Sequence, residues 1–283
     1  MVTFEGRVEV RRRSAGPHLE PIRDASALLW RTSSGRTLLV ADLHLGLGDP
    51  RGKGTGLAEQ GAREMAERLL ALCSQQRASR VVVAGDLKHP IVGAPGRLGA
   101  LLFDFCGALL SQGIGLEVVP GNHDVGLAAH LPKEVELHSP GGLLREGVGV
   151  FHGHRWPDAE LATARALVVG HLHPGYRMAA GSAGGPEKRS CWLRVEYRAR
   201  DRPLLPGDIR CGAGELLVLP AFNPLGGIES LNRSVPARGR SFLFRRFMAG
   251  TRPRAYLLDG TDLGPILSSP PARAARRRSS KAR

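Results

Sequence analysis

Five short apolar segments, each followed at once by polar residues and most of them by glycine, constrain the fold of this chain more than any other feature. The segments are Leu38–Ala41, Val81–Ala84, Leu116–Pro120, Val148–Phe151 and Ala166–Val169. Short apolar runs rich in β-branched residues and bounded by glycine are typical of strands buried on both faces. Ligand sites in open α/β sheets form at the carboxyl ends of such strands. We therefore expect the five strands to lie side by side and to bring the polar residues to one edge of a sheet.

The polar residues at this edge form a chemically consistent set. Imidazoles, carboxylates and one amide follow the five segments within a few residues: Asp42, His44, Asp86, Asn122, His123, His152, His154, His171 and His173. Any one of them alone would usually be a turn residue or a hydrogen-bonded loop residue. Burying all of them together costs free energy unless cations neutralise and orient them. The joint pattern therefore predicts a metal centre.

The ligand types indicate which metals this centre would bind. Imidazole, carboxylate and amide oxygen without thiolate favour Mn, Fe, Zn or Co over Ca or Mg alone. Seven ligands from this set of nine are too many for one tetrahedral zinc, but they suit two metals that share a bridging carboxylate. Two metals about 3.5–4 Å apart activate a bridging water and bind phosphate oxygens during displacement at phosphorus. We therefore expect two divalent ions, with manganese favoured.

Five motifs, in this order along the chain, resemble those of the calcineurin-like metallophosphoesterases. They are Asp42-x-His44, Gly85-Asp86, Gly121-Asn122-His123-Asp124, His152-Gly153-His154 and Gly170-His171-x-His173. The resemblance covers residues 37–173 through these motifs. It implies an α/β fold, the calcineurin-like αββα double-sheet sandwich with flanking helices. It also implies a metal-dependent phosphoesterase in which a metal-bridging hydroxide attacks phosphorus without a covalent enzyme intermediate.

Position by position, the resemblance implies a ligand set for each metal. One metal would be held by Asp42, His44, Asp86 and His173. The other would be held by Asp86, Asn122, His152 and His171. Asp86 would then bridge the two ions. His152 is expected to be the ligand rather than His154, because it follows its strand directly.

The resemblance also implies roles for residues around the metals. His123 matches the histidine that protonates the leaving oxygen, and Asp124 would orient its imidazole. His89 follows Asp86 by three positions, where SbcD-type nucleases have a histidine that helps to orient the nucleic-acid strand. A solvated loop residue is the alternative interpretation of His89. His154 would support the ligands or contact the substrate phosphate.

Three strings look most like the small SbcD-related phosphoesterases, which include the ligase-associated DNA-damage-response endonuclease group (PdeM). The strings are Ala41–Gly46, Gly85–His89 and Leu219–Gly227. The expected function is hydrolysis of phosphodiesters in DNA, as a nuclease in DNA repair. The alternatives are a phosphodiesterase acting on small or cyclic nucleotides and a non-catalytic nucleic-acid-binding module. No amphipathic helix pair follows the second half, so we do not expect dependence on an SbcC-like ATPase.

The chain is strongly basic, with a net charge of +14 over 283 residues, which favours polyanionic partners such as nucleic acid. A general arginine-rich background is the alternative explanation of this charge. Basic segments such as Arg11–Arg13 and Arg245-Arg246 could contact phosphate backbones without sequence preference. We expect a loosely ordered lead-in over 1–24, the metallophosphoesterase domain over 25–269 and a basic disordered tail over 270–283.

Periodicity predicts the remaining elements. A hairpin is expected over 27–40, and helices are expected over 57–73 and 98–111, which with the strands suggests parallel βαβ units. The second half predicts an antiparallel second sheet from Ser190–Tyr197, Glu215–Leu219, Ser241–Phe247 and Arg254–Leu258. No apolar stretch approaches the roughly 18–20 residues of a membrane span, and the amino-terminal residues have no apolar signal region. We therefore expect a cytoplasmic protein without membrane contact.

Overall fold

The computed structural model describes residues 17–48, 56–92, 94, 97–178, 187–197, 204–207, 209–212, 214–232, 243, 248 and 251–266. Several predicted features lie outside this range, namely the basic segments 11–13 and 245–246, the tail over 270–283, and the strand over 241–247 apart from Leu243. Among the described residues, neither helix combines the length and the apolar surface that crossing a bilayer requires.

The first sheet contains six strands within the described residues. They are β1 His18–Pro21, β2 Leu28–Thr32, β3 Gly35–Val40, β4 Arg80–Ala84, β5 Gly115–Val119 and β6 Glu136–Leu137, in that spatial order. β1, β2 and β3 pair antiparallel, and β3 to β6 pair parallel. The predicted hairpin and the predicted parallel units are both confirmed. Strand β1 lies inside the stretch expected to be a loose lead-in, and the fully buried Leu19 anchors it in the core.

Two α-helices cover the outer face of the first sheet in the part of the chain that the structure describes. α1 spans Leu57–Gln76 and α2 spans Leu98–Leu110. Their buried residues pack with the apolar side chains of β3, β4 and β5 in one core. α1 continues three residues beyond its predicted end. The prediction stopped early because Ser74, Gln75 and Gln76 are polar and carry no apolar periodicity. The helix ends at Arg77, which adopts a left-handed conformation with φ 51°.

The second sheet follows in sequence and, within the described ranges, has nine strands. They are β7 Leu143–Arg145, β8 Val148–Phe151, β9 Ala166–Val169, β10 Pro174–Arg177, β11 Lys188–Glu196, β14 Glu215–Val218, β15 Glu229–Ser230, β16 Arg254–Leu257 and β17 Asp262–Pro265. The spatial order is β15-β10-β11-β14-β9-β8-β7, and β16 pairs with β11 and β17. β12 Leu204–Leu205 and β13 Ile209–Arg210 form a separate pair. The predicted strands over 190–197, 215–219 and 254–258 pair antiparallel, as expected. The sheet as a whole is mixed, because β9 pairs parallel with both β8 and β14.

The two sheets pack face to face through a shared apolar core. Trp30, Leu39 and Val82 contribute to it from the first sheet, and Val168 and Trp192 contribute from the second. A further core covers the outer face of the second sheet, partly from a short 3-10 helix over Ala159–Thr163. The double-sheet sandwich predicted for this chain is therefore the observed fold.

The five strands that precede the polar motifs are divided between the sheets. β3, β4 and β5 belong to the first sheet, and β8 and β9 belong to the second. The expectation that all five lie side by side in one sheet is wrong, because a strand buried on both faces has the same sequence pattern in either layer. Their carboxyl ends still meet. The backbone N–H of His171, which follows β9, donates to Oδ2 of Asp42, which follows β3, over 3.0 Å.

Candidate metal centre

Five of the seven predicted ligands stand on strained backbone. Asp42, His44, Asp86, His171 and His173 all have positive φ, between 42° and 72°. A side chain in this left-handed region crowds its own backbone, and the strain costs on the order of 1–3 kcal/mol per residue. Among the described non-glycine residues, three others share the conformation, so the strain is concentrated after β3, β4 and β9. Such strain clusters at functional sites, where the surrounding structure maintains it.

Three glycines allow these turns to approach one another. A Cβ added at Gly121 would overlap the Asp86 carboxylate, and one added at Gly85 would overlap the ring of His152. A Cβ at Gly170 would lie 2.9 Å from Oδ2 of Asp42. The glycines of the motifs are therefore required by close contact between ligand-bearing segments.

Asp42, His44 and His173 form the first group of donor atoms, which lie within 4.8 Å of one another. Nε2 of His173 lies 3.2 Å from Nε2 of His44 and 3.3 Å from Oδ1 of Asp42. Nδ1 of His173 donates to the carbonyl of Gly226 over 2.8 Å. This outer hydrogen bond fixes the ring so that Nε2 faces the group, as in metal-binding histidines.

Asp86, His152 and His171 form the second group, with the same spread of donor atoms. Nε2 of His152 lies 3.2 Å from Oδ2 of Asp86 and 3.2 Å from Oδ1 of Asn122. The amide oxygen of Asn122 therefore belongs with this group. Nδ1 of His152 donates to the carbonyl of Ala84 over 2.9 Å, which orients this ring in the same way.

Asp86 connects the two groups. Its Oδ2 also lies 3.8 Å from Nε2 of His44 in the first group. Its Oδ1 accepts a hydrogen bond from the backbone N–H of His123 over 2.9 Å. Burial by itself raises the pKa of Asp86, but the hydrogen bonds with His152 and His123 outweigh it and hold the pKa well below its usual range. The carboxylate between the groups is therefore ionised at neutral pH.

The imidazoles differ in their affinity for protons. Burial lowers the pKa of both His44 and His171 to about 4, so each ring is neutral at pH 7 and has one nitrogen with a free lone pair. Burial also opposes protonation of His152, but Asp86 and Asp42 outweigh it and raise its pKa to about 9. The pKa of His173 is raised in the same direction, against the effect of burial, by Asp42. The buried carboxylates of Asp42 and Asp86 thus favour positive charge among the two groups of donor atoms.

The donor set fits a pair of divalent metals. Buried carboxylates, imidazoles with fixed orientation and one amide oxygen converge on two adjoining groups. The ligand preferences of Mn, Fe, Zn and Co include all three donor types. The side chains of Asp42 and His152 are fully buried, and such a concentration of polar groups is stabilised when cations occupy it. The structure therefore brings together the predicted metal ligands and places them where two ions could be held.

His123 lies beside the first group. Its ring centroid is 4.8 Å from that of His44, and its Nε2 is 3.9 Å from Oδ2 of Asp86. Its Nδ1 donates to the backbone carbonyl of His89. The orientation of this imidazole is therefore set by a backbone oxygen.

Asp124 has a different role from the expected one. Its carboxylate accepts hydrogen bonds from the backbone N–H groups of Gly121 at 2.8 Å, Lys88 at 3.1 Å and Leu87 at 3.3 Å. The expectation that Asp124 orients the imidazole of His123 is wrong, because the carboxylate is buried and turned toward these amides. It joins the turn after β4 to the turn after β5.

A cleft of about 240 Å³ opens above the two groups. Its lining comprises His44, Leu47, Asp86, His89, Asn122, His123, His171, His173 and Gly226. His89 thus lines the same cleft as His123, and its ring centroid lies 5.5 Å from that of His44. Among the described residues the lining does not include His154, whose ring packs 5.3 Å from that of His152. Support of His152 is therefore favoured over contact with a substrate phosphate.

Sequence reasoning missed the contribution of Asn223. Its Nδ2 donates to the carbonyl of Leu43 over 2.8 Å, and its Oδ1 accepts from the N–H of Leu225 over 2.9 Å. The same turn supplies the Gly226 carbonyl that orients His173. Asn223 lies in the string Leu219–Gly227, which was used only for its similarity to the SbcD-related phosphoesterases and not to assign a role to Asn223.

Glu117, Glu136 and His138 form another cluster of possible ligands. Glu117 is paired there with Arg145 at 2.9 Å and with Arg80 at 2.5 Å. Two guanidinium groups already neutralise the buried carboxylate, so this cluster is an ion-pair network of the core.

The two facing sheets carry the histidine and aspartate groups at their common end. Among solved structures, the nuclease MPE of Pseudomonas putida has a similar fold. The match covers 87% of this chain and 100% of that one, with a TM-score of 0.52 and 18% sequence identity. The phosphoesterase YfcE of E. coli matches over 81% of this chain and 97% of its own at 16% identity, with a TM-score of 0.33. No family model matches the sequence, and no curated protein is significantly similar to it.

Proposed function

We propose that this chain is a two-metal phosphodiesterase that hydrolyses nucleic acid, with DNA as the expected substrate. The observation that supports this most strongly is the pair of donor groups joined by Asp86 beneath an open cleft. The net charge of +14 favours a polyanionic substrate. The structural neighbour from Pseudomonas putida is named a nuclease.

The proposed metal ligands follow the two groups. Asp42, His44, Asp86 and His173 would hold one ion, and Asp86, Asn122, His152 and His171 would hold the other. Manganese is favoured, with Fe, Zn and Co as alternatives. When bound, such a pair supplies an activated water at neutral pH and offsets negative charge on the phosphate oxygens.

The general acid in this proposal is His123. Because Nδ1 donates to the His89 carbonyl, Nε2 of His123 is directed toward Asp86 and the cleft. A protonated Nε2 can deliver its proton to the leaving oxygen as the ester bond breaks. The ring of His89, which lines the same cleft, would orient the nucleic-acid strand.

Hydrolysis of bis-p-nitrophenyl phosphate with added Mn²⁺ tests the proposal, with Asp86→Ala as the control. We expect turnover by the wild-type protein and a loss of at least 10²-fold in the variant, because both groups lose their shared carboxylate. Wild-type turnover no higher than that of the variant would contradict the proposal.

A substrate panel tests the preference for DNA. Single-stranded DNA, duplex DNA and cyclic nucleotides are compared in one assay at low and high salt. Cleavage of DNA that weakens steeply with salt is expected, because contacts to phosphates release counterions. Hydrolysis of cyclic nucleotides alone would favour a small-molecule phosphodiesterase. DNA binding that survives chelation without any cleavage would favour a non-catalytic binding module.

A further inference from the structure

Lys88 is a fully buried lysine in the turn that follows Asp86. Its ammonium group donates to three backbone carbonyls, those of Pro90, Ile91 and His123. An ammonium group has three N–H donors and no acceptor, so three carbonyls satisfy it completely. Burial lowers the pKa of Lys88, while Asp124 and Asp86 act in the opposite direction. A lysine in such a place costs solvation free energy, which suggests that its contacts have a specific purpose.

The hydrogen bonds of Lys88, together with one accepted by Asp86, hold the backbone around the imidazole of His123. The backbone N–H of His123 donates to Asp86 over 2.9 Å, and its carbonyl accepts from Lys88. The ring itself is held by the carbonyl of His89. Lys88 also binds the carbonyls of Pro90 and Ile91, which follow His89 directly. It therefore fixes both His123 and the segment that carries the acceptor of its ring.

We propose that Lys88 is a positioning residue that holds His123 where it protonates the leaving oxygen. The inference rests on the proposed function of His123 as general acid. Lys88 itself is inaccessible to a substrate, since its side chain is fully buried and does not line the cleft. Its effect on the reaction passes through the two backbone segments that it joins.

The dependence of the rate on the leaving group separates positioning from simple stabilisation of the fold. A general acid matters most when the leaving oxygen is strongly basic, and it contributes about 10²–10⁴-fold in such cases. The substrates are aryl methyl phosphates ranging from p-nitrophenyl to phenyl. The variant is Lys88→Met, which keeps the length of the side chain and removes its donors. Lys133→Met, at an exposed lysine of the segment that follows His123, is the matched control.

We expect kcat of Lys88→Met to fall least for the p-nitrophenyl ester and at least ten-fold further for the phenyl ester, with little change in KM. The control should retain the wild-type dependence on the leaving group. A loss of equal size for all esters, or no loss, would overturn the positioning role. If Lys88→Met does not fold, Lys88→Gln keeps two N–H donors and should show a smaller change of the same kind.

A second readout does not depend on activity. In ¹⁵N-edited NMR spectra of the metal-free protein, the Nδ1–H proton of His123 should exchange slowly because it is bonded to the His89 carbonyl. Lys88→Met should speed its exchange, and an unchanged signal would count against the inference. A wild-type protein that hydrolyses no ester would overturn the proposed function. The exchange rate of the Nδ1–H proton would then still test whether Lys88 holds His123 in place.

Discussion

Nε2 of His152 lies 3.2 Å from Oδ2 of Asp86, although the two residues belong to different sheets. Asp86 follows β4 of the first sheet and His152 follows β8 of the second. The contact can form only when the two layers are packed face to face. Ions that bind there should therefore stabilise the whole sandwich, since they bind the folded state alone.

Metal affinity should rise with pH between about 7 and 9. In the metal-free protein Asp86 and Asp42 overcome the effect of burial and raise the pKa of His152 to about 9, so a metal must displace a proton from this ring below that pH. Once the pH exceeds the pKa of His152, the ring is neutral and protons no longer compete with the metal for it. Titration with Mn²⁺ by calorimetry at several pH values measures the effect. An affinity independent of pH over this range would contradict it.

Gly121→Ala should abolish binding of the metal pair and destabilise the fold. The added Cβ overlaps the Asp86 carboxylate, and overpacking of this kind costs about 1–3 kcal/mol. Urea unfolding and metal analysis measure both effects. The matched control is Gly107→Ala in α2, where no atom lies within 4 Å of the new Cβ. That variant should be about 0.5–1 kcal/mol more stable than the wild type. Equal stability of the two variants would refute the argument.

Asn223→Ala should weaken one metal site selectively. The change leaves the carbonyl of Leu43 without its side-chain donor and loosens the turn whose Gly226 carbonyl orients His173. Loss of such outer support typically costs about 10–100-fold in metal affinity. Metal content after dialysis against limiting Mn²⁺ should fall toward one ion per chain. Asn232→Ala, at an exposed asparagine bonded to the backbone of Arg177, should keep the wild-type content.

Glu117→Gln should lower stability at pH 7 by about 3 kcal/mol, because it breaks a buried ion-pair network. Burial alone raises the pKa of Glu117, but hydrogen bonds from His138, Arg145 and Arg80 hold it well below its usual range. The ionised carboxylate thus stabilises the fold above the ordinary glutamate pKa of about 4.3, and this contribution is lost as the pH falls below it. Wild-type stability should decline on acidification below pH 5, and the variant should decline less. Parallel pH profiles of urea unfolding would disprove this.

The metal-ligand candidates could be predicted because each one follows an apolar strand within a few residues. This signal is local, so it survives without knowledge of the tertiary structure. The division of the strands between two sheets could not be predicted, since β8 and β4 have the same apolar pattern whichever layer they occupy. The sequence pattern therefore identified the polar edge but placed it on one sheet.

The groups that position the ligands were harder to predict for a related reason. Asp124 and Asn223 bind backbone N–H and carbonyl groups of distant segments, and such partners have no sequence signature. Lys88 also binds only carbonyls, those of Pro90 and Ile91 and that of the distant His123. A lysine two residues after an aspartate in a loop is usually exposed to solvent. Packing of separate turns against one another determines all three roles.

Anomalous X-ray diffraction from crystals grown with Mn²⁺ tests the central claim most directly. We predict two manganese peaks, one among Asp42, His44 and His173 and the other among Asp86, His152 and His171, with the Asp86 carboxylate in contact with both. A single peak, peaks at other places or no peak at all would contradict the assignment of a two-metal centre.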